Sequence, residues 1–181
     1  MEARRWVIVG NAGSGKSTLA DRLGARLGAP VVHLDALFWG PGWREPPIPE
    51  FRARLADAHA GEAWISDGNY AAVSFDLRLP RADALAWVDL PWPVCAGRAL
   101  RRAALGQFRA DQRLAEGCRD GLDRRLLQRL QFIRGFERRN RPIIEARLAE
   151  LRPDLRPIRL RGPAEIARFL DDPDAALDAT G

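Results

Sequence analysis

The stretch that decides the fold is Gly10-Asn11-Ala12-Gly13-Ser14-Gly15-Lys16-Ser17. It follows an apolar run at residues 5–9 and precedes Leu19, Leu23 and Leu27, which recur at helical spacing. A strand, a glycine-rich turn and a helix in this order form a βα unit whose backbone N–H groups face one concavity. The stretch therefore predicts a phosphate-binding loop at the start of a helix.

The side chains of this loop have predicted roles toward a nucleotide. Lys16 is placed to bridge the β- and γ-phosphates, and Ser17 to offer its hydroxyl to Mg²⁺. Thr18 either lies near the α-phosphate or is a helix-surface residue. Residues 10–18 are thus the predicted nucleotide-binding segment, with ATP and Mg²⁺ as cofactors. ATP is favoured over GTP because the chain has no NKxD-like guanine motif.

The remaining chain alternates short strands with helices. This alternation indicates an α/β fold in which helices cover both faces of a parallel sheet. An acidic tail at residues 171–181 is expected to fray. The predicted strands are 31–34, 63–66, 84–88 and 155–160, and the predicted helices begin at Pro49 or span 94–105, 122–136 and 164–170, with Pro142 as an interruption.

Length and composition suit one globular domain. The chain has 181 residues, of which 46% are hydrophobic and 29% charged, so residues 1–170 are predicted to form a single domain. The most apolar stretch, residues 84–97, contains Asp89 and two prolines, which excludes a membrane span. Residues 6–10 are too short an apolar run for a signal peptide, so a cytoplasmic location is expected.

Basic residues are unevenly distributed along the chain. The net charge is +5, and Lys16 is the single lysine. Residues 98–161 contain 18 arginines against 8 acidic residues. Such a local excess indicates either an anionic partner or a solvated face. In an arginine-rich chain, the one compact ammonium occupies the motif that prefers a point charge to a planar fork.

An acidic residue near the metal is also needed, and Asp35, Asp67 and Asp89 each follow or end a predicted strand. Any strand-end aspartate is ordinarily a helix cap or a loop carboxylate. Asp67 is nevertheless predicted to serve the outer shell of the metal, because Gly68 after it allows close backbone approach to a ligand. Asp89 is the second candidate, since it ends a more hydrophobic strand.

Five further motifs accompany the phosphate-binding loop. They are His33-Leu34-Asp35 with Trp39, Pro41-Gly42-Trp43, Trp64-Ile65-Ser66-Asp67-Gly68-Asn69-Tyr70, Val88-Asp89-Leu90-Pro91 and Cys95-x-x-Arg98. Together they resemble the adenylate-kinase-related P-loop proteins known as DNA topology modulation (FlaR-like) proteins. This resemblance covers roughly residues 5–145. It implies a five-stranded parallel sheet in the order 2-3-1-4-5. It also implies an acceptor-binding segment at about 35–60 and an arginine-bearing lid at about 106–141.

The resemblance also implies roles for acceptor and lid residues. Adenylate kinases continue the Asp-Gly with Phe-Pro-Arg, whereas this chain has Asn69-Tyr70, so the acceptor contact of that arginine is missing or moved to Arg78. Asp35 is placed like the acid that orients an acceptor hydroxyl. The predicted acceptor site comprises Asp35, Trp39, Trp43, Gly68, Asn69, Tyr70 and Arg78, and the predicted lid arginines are Arg98, Arg102 and Arg138, with Arg139 and Arg141 as further partners.

Three functional classes follow from the sequence. The first is an ATP-dependent kinase for a small acceptor such as a nucleoside or nucleotide. The second is an ATPase acting on or near nucleic acid, suggested by the basic segment and the family resemblance. The third is a nucleotide-binding switch with little turnover. His33 is interpreted as structural, and the distant Cys95 and Cys118 as inert thiols without a metal.

Overall fold

The computed structural model describes residues 3–106, 118 and 123–179. Part of the predicted lid segment, residues 107–117 and 119–122, lies outside the described residues. Five parallel strands form one sheet in the order β2-β3-β1-β4-β5, which confirms the expected order.

The elements follow the predicted alternation. The strands are β1 (Arg5–Gly10), β2 (Val31–His33), β3 (Trp64–Asp67), β4 (Ala84–Val88) and β5 (Ile158–Leu160). The helices are α1 (Lys16–Leu27), α2 (Leu34–Phe38), α3 (Ile48–Ala58), α4 (Ala71–Arg78), α5 (Trp92–Gly106), α6 (Arg124–Arg139), α7 (Arg141–Leu151), α8 (Pro163–Asp171) and α9 (Pro173–Asp178), with short 3-10 turns at Pro41–Trp43 and Leu79–Arg81.

Alternate residues of β1 point to opposite faces of the sheet and pack into two hydrophobic cores, one on each face. Trp6 and Ile8 pack with residues of α1, α5 and α8. Val7 and Val9 pack on the other face with residues of α4 and α7. Because helices bury both faces, the central strands contain almost no polar side chains.

Strand register brings the expected site residues to one edge of the sheet. Ile8 is paired with Asp67, and His33 is paired with Asp67 on the other side. Gly10 at the end of β1 is paired with Val88 at the end of β4. Since ligands of open α/β sheets bind outside the carboxyl ends of the strands, this edge is where a site is expected.

Three local features differ from the sequence-based expectation. Asp35 lies in the short helix α2, whose first residue, Leu34, was expected to end the second strand. The helix α4 begins directly after Tyr70, whose φ of 40° is left-handed. The acidic tail was expected to fray, but residues 173–178 form α9, because Asp172 caps the helix by accepting a hydrogen bond from the Ala175 N–H.

In the part of the chain that the structure describes, no helix combines the length and the apolar character needed to cross a membrane.

Acid is expected to destabilise the protein through His59, which is buried between α3 and β3. Its Nδ1 lies 2.7 Å from the Leu55 carbonyl oxygen and its Nε2 lies 2.8 Å from Ser66 Oγ. Burial, with Arg78 and Arg81 nearby, lowers the pKa of His59 from 6.5 to about 4. Between these two pH values, His59 is therefore protonated in the unfolded chain and neutral in the folded chain. The contribution of neutral His59 to the free energy of unfolding should be fully present above pH 6.5. The free energy of unfolding should fall by about 3 kcal/mol between pH 6.5 and about 4.

Urea unfolding across this pH range measures the effect, with His59→Gln as the non-titrating control. The other histidine, His33, has a raised pKa. Its contribution to folding stability is therefore fully present below pH 6.5 and is lost only as the pH rises. Asp67 and Asp83 have pKa values below the ordinary 3.8, so their contributions to folding stability are lost only at a pH below about 3.8. If His59→Gln showed the same slope between pH 6.5 and 4, the assignment to His59 would be wrong.

Candidate active site

In the phosphate-binding loop, residues 10–17, Gly10 and Gly13 pack so closely against neighbouring backbone that they have no room for side chains. Gly13 has a φ of 79°, and a Cβ there would lie 2.3 Å from the Cys95 carbonyl oxygen. Gly15, with a φ of 97°, is the N-cap of α1 and makes no side-chain cap. The first N–H groups of α1 are therefore available to an anion, and Lys16 and Ser17 line a cavity there.

Two polar side chains of the expected site hold this loop in place. The Arg98 guanidinium donates to the Ser14 carbonyl oxygen at 2.8 Å. Arg98 thus holds the backbone of the loop, whereas the sequence had predicted it as a lid arginine. The Asn11 side-chain amide donates to the Ile133 carbonyl oxygen of α6 at 2.9 Å. Thr18 is exposed and does not line the cavity, as its helix-surface alternative had it.

Asp67, at the end of β3, presents a buried carboxylate beside the loop. Its Oδ2 lies 2.8 Å from His33 Nδ1, whereas its Oδ1 is buried with no hydrogen-bond partner among the described residues. Although burial alone would raise it, the pKa of Asp67 is lowered by the His33 hydrogen bond, the Lys16 charge and the Ser17 hydroxyl. An ionised, unsatisfied oxygen beside Lys16 and Ser17 fits a hydrated Mg²⁺.

Asp89, the second candidate for the metal, is held by two arginines instead. Its carboxylate forms ion pairs with Arg141 and Arg159, and the Arg159 contact measures 3.2 Å. Arg141 also pairs with Glu137 and Glu145, so its charge is shared among three acids. The geometry therefore favours Asp67 as the acid near the metal and places Arg141 in a structural ion-pair network.

Arg78 does not reach the acceptor side. Its guanidinium is fully buried beneath the Asp67–Tyr70 turn and donates to Ser66 Oγ at 3.0 Å and to the carbonyl oxygens of Gly68 and Asn69. Burial lowers its pKa to about 9, so it stays charged at neutral pH. The expectation that Arg78 contacts an acceptor is thus corrected. A buried arginine is costly unless its donors are satisfied. Here the two terminal nitrogens of Arg78 donate to the turn and its neighbours and stabilise the turn, whereas Nε has no hydrogen-bond partner among the described residues.

Asn69 also serves the backbone with its side chain. Its Oδ1 accepts from the Gly10 N–H at 3.0 Å, and its Nδ2 donates to the Gly10 carbonyl oxygen at 2.9 Å. This pair joins the ends of β1 and β3 and leaves Asn69 at the cavity wall. Gly68, with a φ of 140°, lies below, where a Cβ would come within 2.9 Å of Leu34.

The expected acceptor residues converge on Asp35. The Tyr70 hydroxyl donates to Asp35 Oδ1 at 2.7 Å across 35 residues of sequence. Burial, and then the Asp35 charge, raise the pKa of Tyr70, so the phenol stays protonated at neutral pH. Trp39 and Trp43 lie edge to face, with ring centroids 5.5 Å apart. An oriented carboxylate thus lies beside an aromatic wall.

The helix α6 supplies cations to the same cavity from Arg125 and Arg129. Arg125 lies with its guanidinium carbon 5.3 Å from the Trp43 ring centroid and donates to the Gly42 carbonyl oxygen at 3.3 Å. Arg138, which the sequence had placed in the site, is exposed and does not line the cavity. It follows Arg129 by nine residues, which at 3.6 residues per turn puts it on the opposite face of α6.

One cavity of about 730 Å³ joins these groups. Its lining combines residues of the phosphate-binding loop and Asp67 with carboxylates and aromatic rings of the acceptor segment. Of the expected site residues it includes Ala12, Gly13, Lys16, Ser17, Asp35, Trp39, Trp43, Asp67, Gly68, Asn69, Tyr70 and Arg102, together with Glu45, Arg125, Gln128, Arg129, Phe132 and Asn140.

The sequence reasoning missed part of this wall. Arg125, Arg129 and Phe132 are spaced by four and three residues, so one face of the predicted helix already carried them. Glu45 had no comparable signal, because it lies in an irregular segment. His33 was interpreted as structural, and only its neighbours in space reveal its contact with Asp67.

The chain matches no protein-family model and no curated protein. Among solved structures, a shikimate kinase from Acinetobacter baumannii in complex with shikimate is 14% identical with a TM-score of 0.59, over 97% of this chain and 93% of that chain. A sugar kinase from Janibacter sp. is 19% identical with a TM-score of 0.54, over 98% and 95%. A gluconokinase from Sinorhizobium meliloti is 17% identical with a TM-score of 0.53, over 97% and 92%.

At these identities the likeness concerns the fold. The chain therefore has the fold of the P-loop kinases, while the resemblance to the DNA topology modulation proteins stays a prediction.

Proposed function

We propose that this protein is an ATP-dependent phosphotransferase that acts on the hydroxyl of a small acceptor. The observation that supports it best is the cavity itself, because Lys16 of the phosphate-binding loop and the oriented carboxylate of Asp35 both line it. Phosphoryl transfer depends mainly on positioning and on neutralising negative charge. A site with both a phosphate cradle and a placed base meets these requirements.

On the donor side, the N–H groups of the loop and the start of α1 hold the phosphates of ATP. Lys16 neutralises the transferred group and Ser17 with Asp67 would hold Mg²⁺, Ser17 directly and Asp67 through water. When bound, the metal supplies further charge neutralisation to the phosphate oxygens. Arg102, Arg125 and Arg129 also line the cavity and add positive charge to it.

On the acceptor side, Asp35 is the general base. Its carboxylate takes the proton of the acceptor hydroxyl as that oxygen bonds to the phosphorus of the terminal phosphoryl group, and ADP leaves with the electrons of the broken P–O bond. Tyr70 fixes the carboxylate by donating to Oδ1 and, because its pKa is raised, does not compete for that proton. The rings of Trp39 and Trp43 give the acceptor an apolar or planar face to pack on.

In this proposal residues 35–60 form the acceptor-binding segment of a single domain, and α6 is the described part of its lid. A nucleoside monophosphate would instead accept the phosphoryl group on its phosphate oxygen, where no base is needed, and the phosphate contact first assigned to Arg78 would then be left to Arg102, Arg125 or Arg129.

A coupled assay of ADP release against a panel of acceptors tests the proposal. The panel contains nucleosides, nucleoside monophosphates, sugars and hydroxy acids, and the phosphorylated product is identified by mass. We expect at least one class of acceptor to raise the rate of ADP release about tenfold or more above the rate measured without an acceptor, since a positioned acceptor gains effective molarity. A rate that no acceptor changes would instead favour an ATPase or, if negligible, a nucleotide-binding switch.

The alternative of an ATPase directed at nucleic acid is carried by the sequence alone. Several arginines of the basic segment are paired in the structure, including Arg141, Arg147, Arg152 and Arg159. Arg102, Arg125 and Arg129 line the cavity. Among the described residues, many arginines of the basic segment are therefore held in ion pairs or at the cavity.

A further inference from the structure

The ring of His33 lies between two carboxylates. Nδ1 is 2.8 Å from Asp67 Oδ2, and Nε2 is 3.0 Å from Asp21 Oδ1. His33 ends β2 and is paired in register with Asp67, which ends β3. Asp21 comes from α1, the helix that begins with Lys16 and Ser17. The ring thus joins two strand ends to the helix of the phosphate-binding loop.

The two contacts fix the state of the ring. An ionised carboxylate only accepts hydrogen bonds, so each ring nitrogen must donate and the imidazole is protonated. Although burial would lower it, the pKa of His33 is raised by the hydrogen bonds and charges of Asp67 and Asp21. A charged ring with a partner on each side cannot rotate without breaking both bonds.

This arrangement determines which oxygen of Asp67 is presented to a ligand. Oδ2 is occupied by His33, while Oδ1 is buried and has no hydrogen-bond partner within the described part of the chain. Asp67 itself is only 5% exposed, so the surrounding protein gives the carboxylate little freedom to turn. Asp21 follows Ser17 by four residues and therefore lies on the same face of α1.

We propose that His33, anchored by Asp21, is a positioning residue that orients Asp67 so that Oδ1 receives a water of the nucleotide-bound Mg²⁺. The inference rests on the proposed function, since it assumes that Mg·ATP is the donor. It extends that function by assigning part of the Mg²⁺ dependence of ATP binding to His33, which is not itself a proposed ligand of the metal or the nucleotide. Partners that orient metal-binding groups typically change metal affinity by about 10- to 100-fold when they are replaced.

Two substitutions separate the two contacts of the ring. His33→Asn keeps an N–H donor at the position of Nδ1, because both nitrogens are two bonds from Cβ. His33→Gln keeps a donor at the position of Nε2, three bonds from Cβ, and loses the one that faces Asp67. Calorimetric titration with ATP, once with Mg²⁺ and once with EDTA, gives the strengthening of ATP binding by Mg²⁺ for each variant.

We expect His33→Gln to lose about tenfold of this strengthening while its ATP affinity in EDTA stays within about twofold of the original. His33→Asn should retain most of the strengthening. His59→Gln replaces the other histidine of the chain, which contacts Ser66 and therefore lies on the opposite face of β3 from the Asp67 side chain. It controls for the loss of a buried ring and should keep the strengthening in full.

Three results would overturn the inference. In the first, His33→Gln keeps the full strengthening by Mg²⁺. In the second, His33→Asn and His33→Gln lose it equally. In the third, ATP affinity falls equally in Mg²⁺ and in EDTA, which would indicate a purely structural role. If the unsubstituted protein itself bound ATP no better with Mg²⁺, the proposed function would fall together with the inference, so the two failures are distinguishable.

Discussion

Replacing Lys16 by Ala should reduce phosphoryl transfer by at least about 100-fold, because it removes a preorganised charge from the position where the transferred group is neutralised. Lys16 is half-buried in the first turn of α1 and lines the cavity beside Ser17 and Asp67. Water cannot replace the charge there as it would on an open surface. Calorimetry should show a matching loss of heat on addition of Mg·ATP to the folded variant.

The matched control for this experiment is Arg134→Ala. It removes an exposed cation from α6 that does not line the cavity, so it changes the net charge by the same amount. We expect its rate and its ATP binding to stay within about twofold of the original protein, as is usual for an exposed charge. Unaltered ATP binding and turnover in Lys16→Ala would refute the phosphate-binding role of the loop, and the remaining account of the site would go with it.

Asp35→Asn should lower kcat by about 100- to 10,000-fold and leave the affinity for Mg·ATP unchanged. The amide has nearly the same shape, and its oxygen still accepts the hydrogen bond from the Tyr70 hydroxyl, which measures 2.7 Å in the original protein. It cannot take a proton from the acceptor. The loss should therefore appear in kcat, whereas acceptor KM changes little.

Tyr70→Phe separates positioning from proton transfer. It removes the hydroxyl that holds Asp35 Oδ1 but keeps the ring, which packs against Phe38 and Phe51 with centroid distances of 4.9 and 5.3 Å. We expect a loss of about tenfold, well below that of Asp35→Asn. An Asp35→Asn protein with nearly full kcat on the acceptor that the panel identifies would remove Asp35 from the mechanism and require another base.

The arginines show where sequence reasoning about this site fails. Arg78, Arg98 and Arg138 all occur in segments expected to lie near the site, and the structure gives each a different environment. Arg78 is buried under a turn, Arg98 holds the Ser14 carbonyl, and Arg138 is exposed on the far face of α6. An arginine has five donors and a long stem, so its role depends on which carbonyls and acids lie within reach.

The helical phase of α6 was a signal that the sequence did contain. Arg125, Arg129 and Phe132 share one face, and Leu126, Ile133 and Phe136 are buried on another. Taken together these positions place Arg138 away from the cavity. The helix α2 carried no such signal, because five residues are too few for a hydrophobic period to be detected.

The sequence by itself determined the phosphate-binding loop and the five strands. The loop needs only contiguous residues, because its glycines and the helix that follows are fixed by local backbone sterics and hydrogen bonding. Strands and helices are likewise set by short-range periodicity. The strand order was correct because a resemblance in several motifs carried the topology with it.

Only the tertiary structure decided how the groups of the site are paired. Asp35 meets Tyr70 across 35 residues, His33 meets Asp67 across 34, and Asn11 meets α6 across 122. Such pairs depend on strand register and on how helices pack on the sheet. These are cooperative outcomes of burying the whole core, and no local pattern contains them.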